Sequence, residues 1–277
     1  MSQDFADVDQ TSLNLTFKQL TELPPEIWEL SKTGKLTELN LFNDNLTSLP
    51  PEIGNLTDLT RLSLPVNSLT ALPPEIGNLT NLSELNLMGN NLTALPPEIG
   101  NLTNLTWLDL SSNDRTDHDP SSRPGVNLFL PGLTILPPEI CNLTNLAELR
   151  LYQNHMTTLP PEIGNLTNLT ILDLQQNQVT SLPPEIGNLT NLTLLDLLRN
   201  RLTEITPELK MLADRIVKNR GIADFKVNPL PRGTRDYYSG DRSHLDDGLF
   251  SLTDEETSPK GGITKRGLSP KPDVHYY

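Results

Sequence analysis

A fixed pattern of apolar positions recurs every 23 residues over most of the chain. Copies begin at Leu46, Leu69, Leu92, Leu133, Met156 and Val179. In the Leu92 copy the apolar residues are Leu92, Leu95, Ile99, Leu102, Leu105, Leu108 and Leu110. These side chains can share one core only if the chain makes one coil per copy, with a short strand containing Leu108 and Leu110. The pattern therefore predicts an α/β solenoid with stacked parallel strands on one side and short helical or irregular segments on the other.

A polar residue closes each copy. In six copies it is an asparagine, namely Asn67, Asn90, Asn113, Asn154, Asn177 and Asn200. Because a buried turn leaves backbone groups unpaired, and an amide both donates and accepts, we expect these residues to link successive coils. Asp44 and Lys18 take the same position near the N-terminus, where an ionised Asp only accepts and a Lys only donates. The N-terminal coils should therefore be less regular.

Breaks in the period define the predicted organisation. A flexible N-terminus at 1–12 precedes about eight repeats at 13–205, and a loop at 115–132 is inserted between two repeats. A capping helix at 206–221 follows, because it starts with the Thr-Pro pair typical of a helix N-terminus and ends at a glycine. Residues 222–277 are rich in Pro, Gly, Ser and mixed charge without periodicity, which predicts a disordered tail.

The formal net charge of −14 is largely architectural. Much of it comes from the recurrent Pro-Pro-Glu motif, at Glu26, Glu52, Glu75, Glu98, Glu139, Glu162 and Glu185. A glutamate at the start of a short helical turn interacts favourably with the dipole of that turn. The acidity argues against a nucleic-acid partner, which requires a basic face.

Several features indicate a cytoplasmic protein without membrane insertion. The acidic start lacks the basic residues and apolar run of a secretory signal, and no later apolar run is long enough to cross a bilayer. The single cysteine, Cys141, has no partner for an intramolecular disulfide and takes a position that is glycine in other copies. In this compartment the Asn-Leu-Thr motifs of the repeat would stay unmodified.

The sequence offers little catalytic chemistry. It contains no phosphate-binding loop, zinc-protease motif or nucleophile elbow, so we expect neither an enzyme nor a cofactor. Asp117, His118 and Asp119 are adjacent in the inserted loop, and adjacent residues rarely converge on one ion, so a solvated loop is favoured over a metal site. The same loop is a candidate contributor to partner recognition.

The residues that flank the inward-facing strand leucines are expected to form three columns on the exposed face of the sheet. The first column contains Ser12, Glu38, Arg61, Glu84, Trp107, Glu148, Ile171 and Leu194. The second contains Asn14, Asn40, Ser63, Asn86, Asp109, Arg150, Asp173 and Asp196. The third contains Thr16, Phe42, Pro65, Met88, Ser111, Tyr152, Gln175 and Leu198. Of these, Ile171, Leu194 and Leu198 are expected to pack beneath the capping helix.

Variation within these columns predicts a protein-binding surface, because aromatic, Met and Arg side chains are typical anchors of recognition. The predicted contact residues are Phe42, Arg61, Met88, Trp107, Asp109, Arg150, Tyr152, Asp173 and Gln175. At the centre, Trp107 and Tyr152 would supply affinity through hydrophobic burial. Asp109 and Arg150 would select a partner by charge.

The segment LTALPPEIGNLTNLTWLDLSSN, which begins at Leu92, resembles the repeats of intracellular Ras-group leucine-rich-repeat proteins, including Ras-scaffold and Ras-suppressor proteins and their plant relatives. It is also similar to repeats of bacterial leucine-rich-repeat proteins and of Roco proteins. The resemblance covers residues 13–205 and implies a horseshoe whose concave parallel sheet binds signalling proteins without catalysis. The inserted loop departs from the family pattern, and no GTPase domain follows the repeats as a Roco protein would require.

Two other functions are compatible with the sequence. The chain could be a scaffold whose contacts run through the C-terminal tail, with the solenoid as a spacer. It could also be the regulatory subunit of a separate enzyme. In each case the partner is a protein, whose identity the repeats do not reveal.

Overall fold

The computed structural model describes residues 11–32, 34, 36–113 and 132–230. The predicted flexible N-terminus up to residue 10, the inserted loop at 115–131 and the tail from residue 231 lie outside the described residues. Within the described ranges, no helix has the length and apolar character needed to cross a membrane.

Nine short strands form one parallel sheet in which each strand pairs with the next along the chain. They are β1 (Ser12–Asn14), β2 (Glu38–Asn40), β3 (Arg61–Ser63), β4 (Glu84–Asn86), β5 (Trp107–Asp109), β6 (Glu148–Arg150), β7 (Ile171–Asp173), β8 (Leu194–Asp196) and β9 (Ile222–Asp224). We number each coil by the strand it leads into. The predicted solenoid with stacked parallel strands is confirmed. The sequence predicts flexibility up to residue 12, whereas Ser12 begins β1 and pairs with Glu38.

The Pro-Pro-Glu motif forms a short 3₁₀ helix on the opposite side of six coils. These helices are Pro51–Asn55, Pro74–Asn78, Pro97–Asn101, Pro138–Asn142, Pro161–Asn165 and Pro184–Asn188. The first proline of each pair is extended, as at Pro50 with φ −74° and ψ 156°, because a residue before proline avoids the helical region. The second proline begins the helix, where its fixed φ is favourable and no N–H is required.

The repeated apolar side chains form one continuous core that runs through the stack. In the Leu92 copy, six of the seven side chains have no exposed surface and Leu95 is 6% exposed. Burying such a side chain contributes about 1.5 to 3 kcal/mol. Because each coil buries its side chains against its neighbours, a single coil has no core of its own.

Asparagine side chains hydrogen-bond across neighbouring coils. The Nδ2 of Asn90 donates to the carbonyl oxygens of Leu64 and Leu87, both at 3.0 Å, and its Oδ1 accepts the N–H of Leu69 at 3.1 Å. The equivalent three bonds are made by Asn67, Asn113, Asn177 and Asn200. Asn154 makes the same two donations, but its buried Oδ1 has no hydrogen-bond partner among the described residues.

Asp44 holds this position in coil 2 and fits it less well than an amide. Its Oδ1 accepts the N–H of Leu20 at 3.2 Å, whereas its buried Oδ2 has no hydrogen-bond partner in the described part of the chain. Burial raises the pKa of Asp44, and hydrogen bonds from the N–H groups of Leu20, Lys18 and Gln19 act in the opposite direction. An ionised carboxylate also cannot donate to the carbonyl groups that Asn side chains reach in later coils.

A ninth coil continues the stack, so the prediction that the tail begins at Ile222 is wrong for residues 222–230. β9 pairs with β8, Phe225 has no exposed surface, and Asn228 donates to Leu197 O at 2.8 Å as a further ladder residue. The N–H of Leu202 donates to Asn228, which lies 26 residues later, whereas the separation in the regular repeats is 21. Because this coil is longer than the others, the final copy does not follow the 23-residue period of the sequence.

α-Helices replace the 3₁₀ turn in coils 2 and 9, where they are α1 (Glu26–Ser31) and α2 (Pro207–Lys218). α2 starts at Thr206, whose Oγ1 accepts the N–H of Leu209 at 3.3 Å. Arg215 Nη1 donates to the carbonyl oxygen of Gly187 in the preceding 3₁₀ helix at 3.5 Å. The predicted capping helix is therefore the helical side of coil 9, and β9 rather than α2 continues the sheet.

Candidate binding face of the sheet

In-register pairing of the strands places the three columns of side chains across the exposed face of the sheet. In the first column Trp107 lies between Glu84 and Glu148 on the neighbouring strands. In the second column Asp109 lies beside Arg150. Because neighbouring strands are about 4.8 Å apart, these side chains are close enough to interact directly.

The second column closes backbone turns. In seven coils it holds an Asn or Asp whose Oδ1 accepts the N–H of the residue two positions later, at 2.8–3.1 Å. These residues are Asn14, Asn40, Asn86, Asp109, Asp173, Asp196 and Asp224. The bond satisfies a backbone donor where the chain leaves the strand.

Asp109 and Asp173 were predicted to face a partner, but their positions do not support direct contact. Asp109 is 5% exposed and Asp173 is 7% exposed, because both side chains fold back onto the turns of their own coils. Burial raises the pKa of Asp109, whereas the hydrogen bonds from Ser111 and the charge of Arg150 lower it.

Two coils depart from the rule of the second column. Ser63 is followed two residues later by Pro65, which has no N–H, so no acceptor is needed there. Arg150 is followed two residues later by Tyr152, which does have an N–H. The guanidinium of Arg150 offers no acceptor atom for that N–H. Within the nine described coils, Arg150 is therefore the one second-column residue that is neither Asn nor Asp although the residue two positions later has a backbone N–H.

Arg150 instead interacts with the first column. Its guanidinium carbon lies 5.7 Å from the ring centroid of Trp107, and its Nη2 donates to Glu148 Oε2 at 3.0 Å. The side chain is 19% exposed, and its buried Nε has no hydrogen-bond partner within the described coils. Tyr152 is half-buried, and its hydroxyl accepts a hydrogen bond from Gln176 at 3.2 Å. Trp107, Arg150 and Tyr152 form what we call the central cluster.

Other predicted contact residues lie over coils 2 to 4. Phe42 packs edge-on against Phe17, with ring centroids 5.1 Å apart and an angle of 80° between the rings. Phe17, which adjoins the third column and was not predicted, is 57% exposed. Arg61 is exposed and ion-paired with glutamates on both sides, and Met88 is half-buried.

The two glutamates beside Trp107 belong to the predicted first column but were not among the predicted contact residues. The Glu84 side chain is 47% exposed and the Glu148 side chain 29% exposed. The Nη1 of Arg61 lies 3.8 Å from Glu84, longer than the 3.0 Å contact between Arg150 and Glu148.

The face becomes more apolar towards coils 7 and 8. Leu194 is 6% exposed, while Ile171 and Leu198 are half-buried. The next residue of the first column is Ile222 of β9, which pairs in register with Leu194, so the sheet itself extends past these residues where the capping helix was expected. Gln175 is half-buried beside them, and its Nε2 lies 3.4 Å from an Asp196 carboxylate oxygen.

The described residues show no alternative site with metal or thiol chemistry. No group of three or more His, Cys, Asp or Glu within them is placed to hold a metal ion. Asp117, His118 and Asp119 lie outside the described residues. Burial raises the pKa of the Cys141 thiol to about 12, with a smaller contribution from the charge of Glu162. Such a thiol is not a nucleophile at neutral pH.

Comparison with known proteins identifies the repeat. A family model described as a leucine-rich repeat region matches residues 12–119 and 135–215. None of the curated proteins matches the chain. A leucine-rich-repeat protein of Leptospira interrogans, known from its solved structure, is 34% identical with a TM-score of 0.53, and the match covers 81% of this chain and 62% of that protein.

Two plant receptors share the fold. The ectodomain of the Arabidopsis thaliana membrane receptor kinase GASSHO1/SCHENGEN3, solved in complex with CASPARIAN STRIP INTEGRITY FACTOR 2, is 32% identical with a TM-score of 0.57. That match covers 78% of this chain and 24% of the receptor chain. The plant peptide hormone receptor RGFR1, solved in complex with RGF2, is 28% identical with a TM-score of 0.51, over 76% of this chain and 34% of the receptor chain. The chain thus spans less than two thirds of each of these proteins.

Proposed function

Because the chain belongs to the leucine-rich-repeat family, we propose that it is a non-catalytic module that binds a protein or peptide partner on the concave face of its sheet. The observation that carries this proposal is the placement of Arg150. It replaces the Asn or Asp that closes the turn in other coils and holds its guanidinium near Trp107. Departures from a structural rule without a backbone reason are expected where a surface serves recognition.

In this proposal the central cluster provides affinity for the partner through its aromatic side chains and orients the partner through the charge of Arg150. Trp107 and Tyr152 are half-buried aromatic side chains that would lose further exposed area on binding at little cost in conformational freedom. Arg150 would add a fixed charge with defined hydrogen-bonding directions. Asp109 and Asp173 would act indirectly, by closing the turns of coils 5 and 7 on either side of Arg150 and Tyr152. The same face extends through Phe42, Arg61, Met88 and Gln175.

The two plant receptors support a peptide or protein as the ligand, because both are described in complex with another molecule and one is a peptide hormone receptor. The resemblance to Ras-group repeats supports a role in cytoplasmic signalling. Treatment of natively expressed protein with an N-glycosidase tests the compartment. An unchanged mass supports the cytoplasm, whereas a lowered mass would show that Asn-Leu-Thr motifs had been glycosylated in the secretory pathway.

Affinity capture from the native cell lysate tests the proposed function. The variant Trp107→Ala/Arg150→Glu alters the central cluster, and Met211→Ala/Lys210→Glu makes a similar pair of changes on the exposed face of α2, where Met211 is 65% exposed. A third chain is truncated after Leu230, since truncation at Gly221 would remove β9. Circular dichroism and thermal unfolding must show that all variants fold.

A stoichiometric partner that is lost only from the central-cluster variant supports the proposal. Retention of that partner by this variant would contradict the proposed site. Loss on truncation alone would instead place the contacts in the tail, as expected for a scaffold, and co-purification of a catalytic subunit would identify a regulatory role.

A further inference from the structure

The exposed face of the sheet has an acidic first column. Over nine coils the three columns contain seven Asp or Glu and three Lys or Arg residues. Four of the acidic residues are Asp side chains of the second column, which close turns and are buried. The accessible charge is therefore mainly that of the first column, which carries three glutamates and one arginine. The glutamates of the 3₁₀ helices lie on the other side of the core and do not contribute to this face.

The surroundings of Trp107 show how a cation is held on this column. Arg150 lies near the ring and against Glu148, so a guanidinium already occupies one side of the indole. On the other side stands Glu84, whose nearest cation is Arg61 at 3.8 Å, and Arg61 lies closer to Glu38. Glu84 is thus the less neutralised of the two glutamates. An indole flanked by a carboxylate is favourable for a Lys or Arg side chain of a partner.

The third column provides a different chemistry at the other end of the strands. In coils 2 and 4 it presents the half-buried Phe42 and Met88, and in coil 6 it presents the half-buried Tyr152, whereas Pro65 of coil 3 is buried. First-column and third-column residues of one coil are four positions apart, and the third-column residue lies two residues beyond the end of the strand. The distance between them is therefore at most about 13 Å, the length of four extended residues. Across coils 2 to 6 the two columns run side by side for about 19 Å. A partner segment that crosses the strands meets carboxylates along one edge and apolar side chains along the other.

We propose that the partner binds through a segment with one basic and one apolar edge. Its Lys or Arg residues lie on Glu84, Trp107 and Glu148, while its apolar residues lie on Phe42, Met88 and Tyr152. Charge complementarity selects this chemistry over an acidic ligand, because an anionic side chain would meet Glu84, which Arg61 neutralises less than Arg150 neutralises Glu148. This inference rests on the proposed function and specifies the partner of the same face.

Selection from random displayed peptides of about 16 residues, long enough to span the two columns as a helix or an extended strand, tests the inference without knowledge of the natural partner. The full chain is the bait. Enriched peptides are synthesised and their affinities measured by fluorescence anisotropy against four variants. Trp107→Ala tests whether a peptide binds on the exposed face of the sheet. Glu84→Gln/Glu148→Gln tests the charge of the first column, and Met88→Ala tests the apolar third column. Glu52→Gln/Glu139→Gln makes the same charge change on exposed residues of two 3₁₀ helices.

We expect enriched peptides that carry net positive charge and apolar residues and lose affinity on Trp107→Ala. The Glu84→Gln/Glu148→Gln variant should bind them about fivefold more weakly, and the matched Glu52→Gln/Glu139→Gln variant less than about twofold more weakly. Peptides that depend on Trp107 but are acidic or uncharged would overturn the inference and leave the proposed function standing. Equal losses in the two double variants would also overturn it, because attraction would then reflect net charge alone. If no enriched peptide depends on Trp107, the proposed function fails together with the inference.

Discussion

Asp109 and Arg150 occupy the same register position on adjacent strands, and only Asp109 closes its own turn. The carboxylate accepts the N–H of Ser111 at 2.8 Å, whereas the guanidinium points to the first column and lies near Trp107. One position of the repeat thus serves the backbone in coil 5 and the surface in coil 6. The contrast predicts opposite effects of mutation on stability and on binding.

Replacing Arg150 by Asn should stabilise the fold and weaken binding. The amide can accept the N–H of Tyr152, as Asn86 accepts that of Met88 at 3.0 Å. The substitution also removes the buried Nε, which has no hydrogen-bond partner among the described residues. We expect the free energy of unfolding, measured by urea denaturation, to rise by about 1 kcal/mol. Affinity for a partner captured on the concave face should fall by about tenfold or more. Arg150→Ala should weaken binding similarly without the gain in stability, and an equal gain for both variants would contradict the hydrogen-bond explanation.

Replacing Asp44 by Asn should complete the ladder in coil 2. The amide keeps the acceptor for Leu20 and adds a donor that can reach the carbonyl groups equivalent to those bound by Asn67. It also removes a buried carboxylate oxygen that has no hydrogen-bond partner among the described residues. Chemical denaturation at pH 7 should show a gain of about 1 kcal/mol. Asn67→Asp is the reverse control and should destabilise, so a neutral result for both substitutions would argue against the ladder as a source of stability.

Two glycines at the same position of the repeat, Gly77 in coil 4 and Gly187 in coil 8, should differ in how replacement by alanine changes stability. A Cβ on Gly77 would lie 2.5 Å from the carbonyl oxygen of Glu98, whereas a Cβ on Gly187 would approach Glu208 no closer than 3.5 Å. Gly77→Ala must therefore push coils apart, which should cost about 2 to 3 kcal/mol. Gly187→Ala should leave stability within about 1 kcal/mol of the original chain. Urea denaturation of the two variants measures the difference. Similar unfolding midpoints would contradict the prediction, because they would show that the spacing between coils adapts to the added Cβ.

The pKa of Asp109 implies a specific pH dependence. Burial raises this pKa above its ordinary value of 3.8, so the folded state favours the protonated carboxyl relative to the unfolded chain. The resulting destabilisation is present at neutral pH and is relieved as the pH falls through the folded-state pKa towards 3.8. Asp109→Asn keeps the acceptor and does not titrate. Its stability advantage over the original chain, measured by urea denaturation, should therefore shrink on acidification from pH 7 to about pH 4, and a constant difference would contradict this assignment.

Cys141 should be protected from thiol reagents in the folded protein. Its thiol is 1% exposed and has a pKa raised to about 12 by burial and by Glu162. At pH 8 the thiolate population is then about a thousandfold lower than in the unfolded chain. Alkylation followed by mass spectrometry should be slow without denaturant and fast in urea. Rapid modification of the native protein would show that the turn of coil 6 opens readily.

The sequence was sufficient to predict the coils, because the period of 23 residues and the inward leucines allow only one arrangement. It was insufficient for coil 9, where Ala223 stands in place of the strand leucine and five extra residues, the difference between separations of 26 and 21, break the period. The burial of Asp109 and Asp173 was also not predicted, since a charged residue on an exposed column resembles a recognition residue. Comparison down the column, where Asn and Asp interchange, would have identified Arg150 as the exception.

The buried Oδ1 of Asn154, which has no hydrogen-bond partner among the described residues, is a local change where the extra chain enters an otherwise continuous stack. Asn113 before the insertion keeps its bonds to Leu87 and Leu110, and the first described coil after it still accepts the N–H of His155 at Leu133 O. Strand register passes from β5 to β6 without a shift. The length of a connection between two coils therefore does not alter the stacking of the coils on either side of it. Extra sequence thus enters at a coil boundary, next to the residues proposed for recognition, without shifting the register of the two strands that carry them.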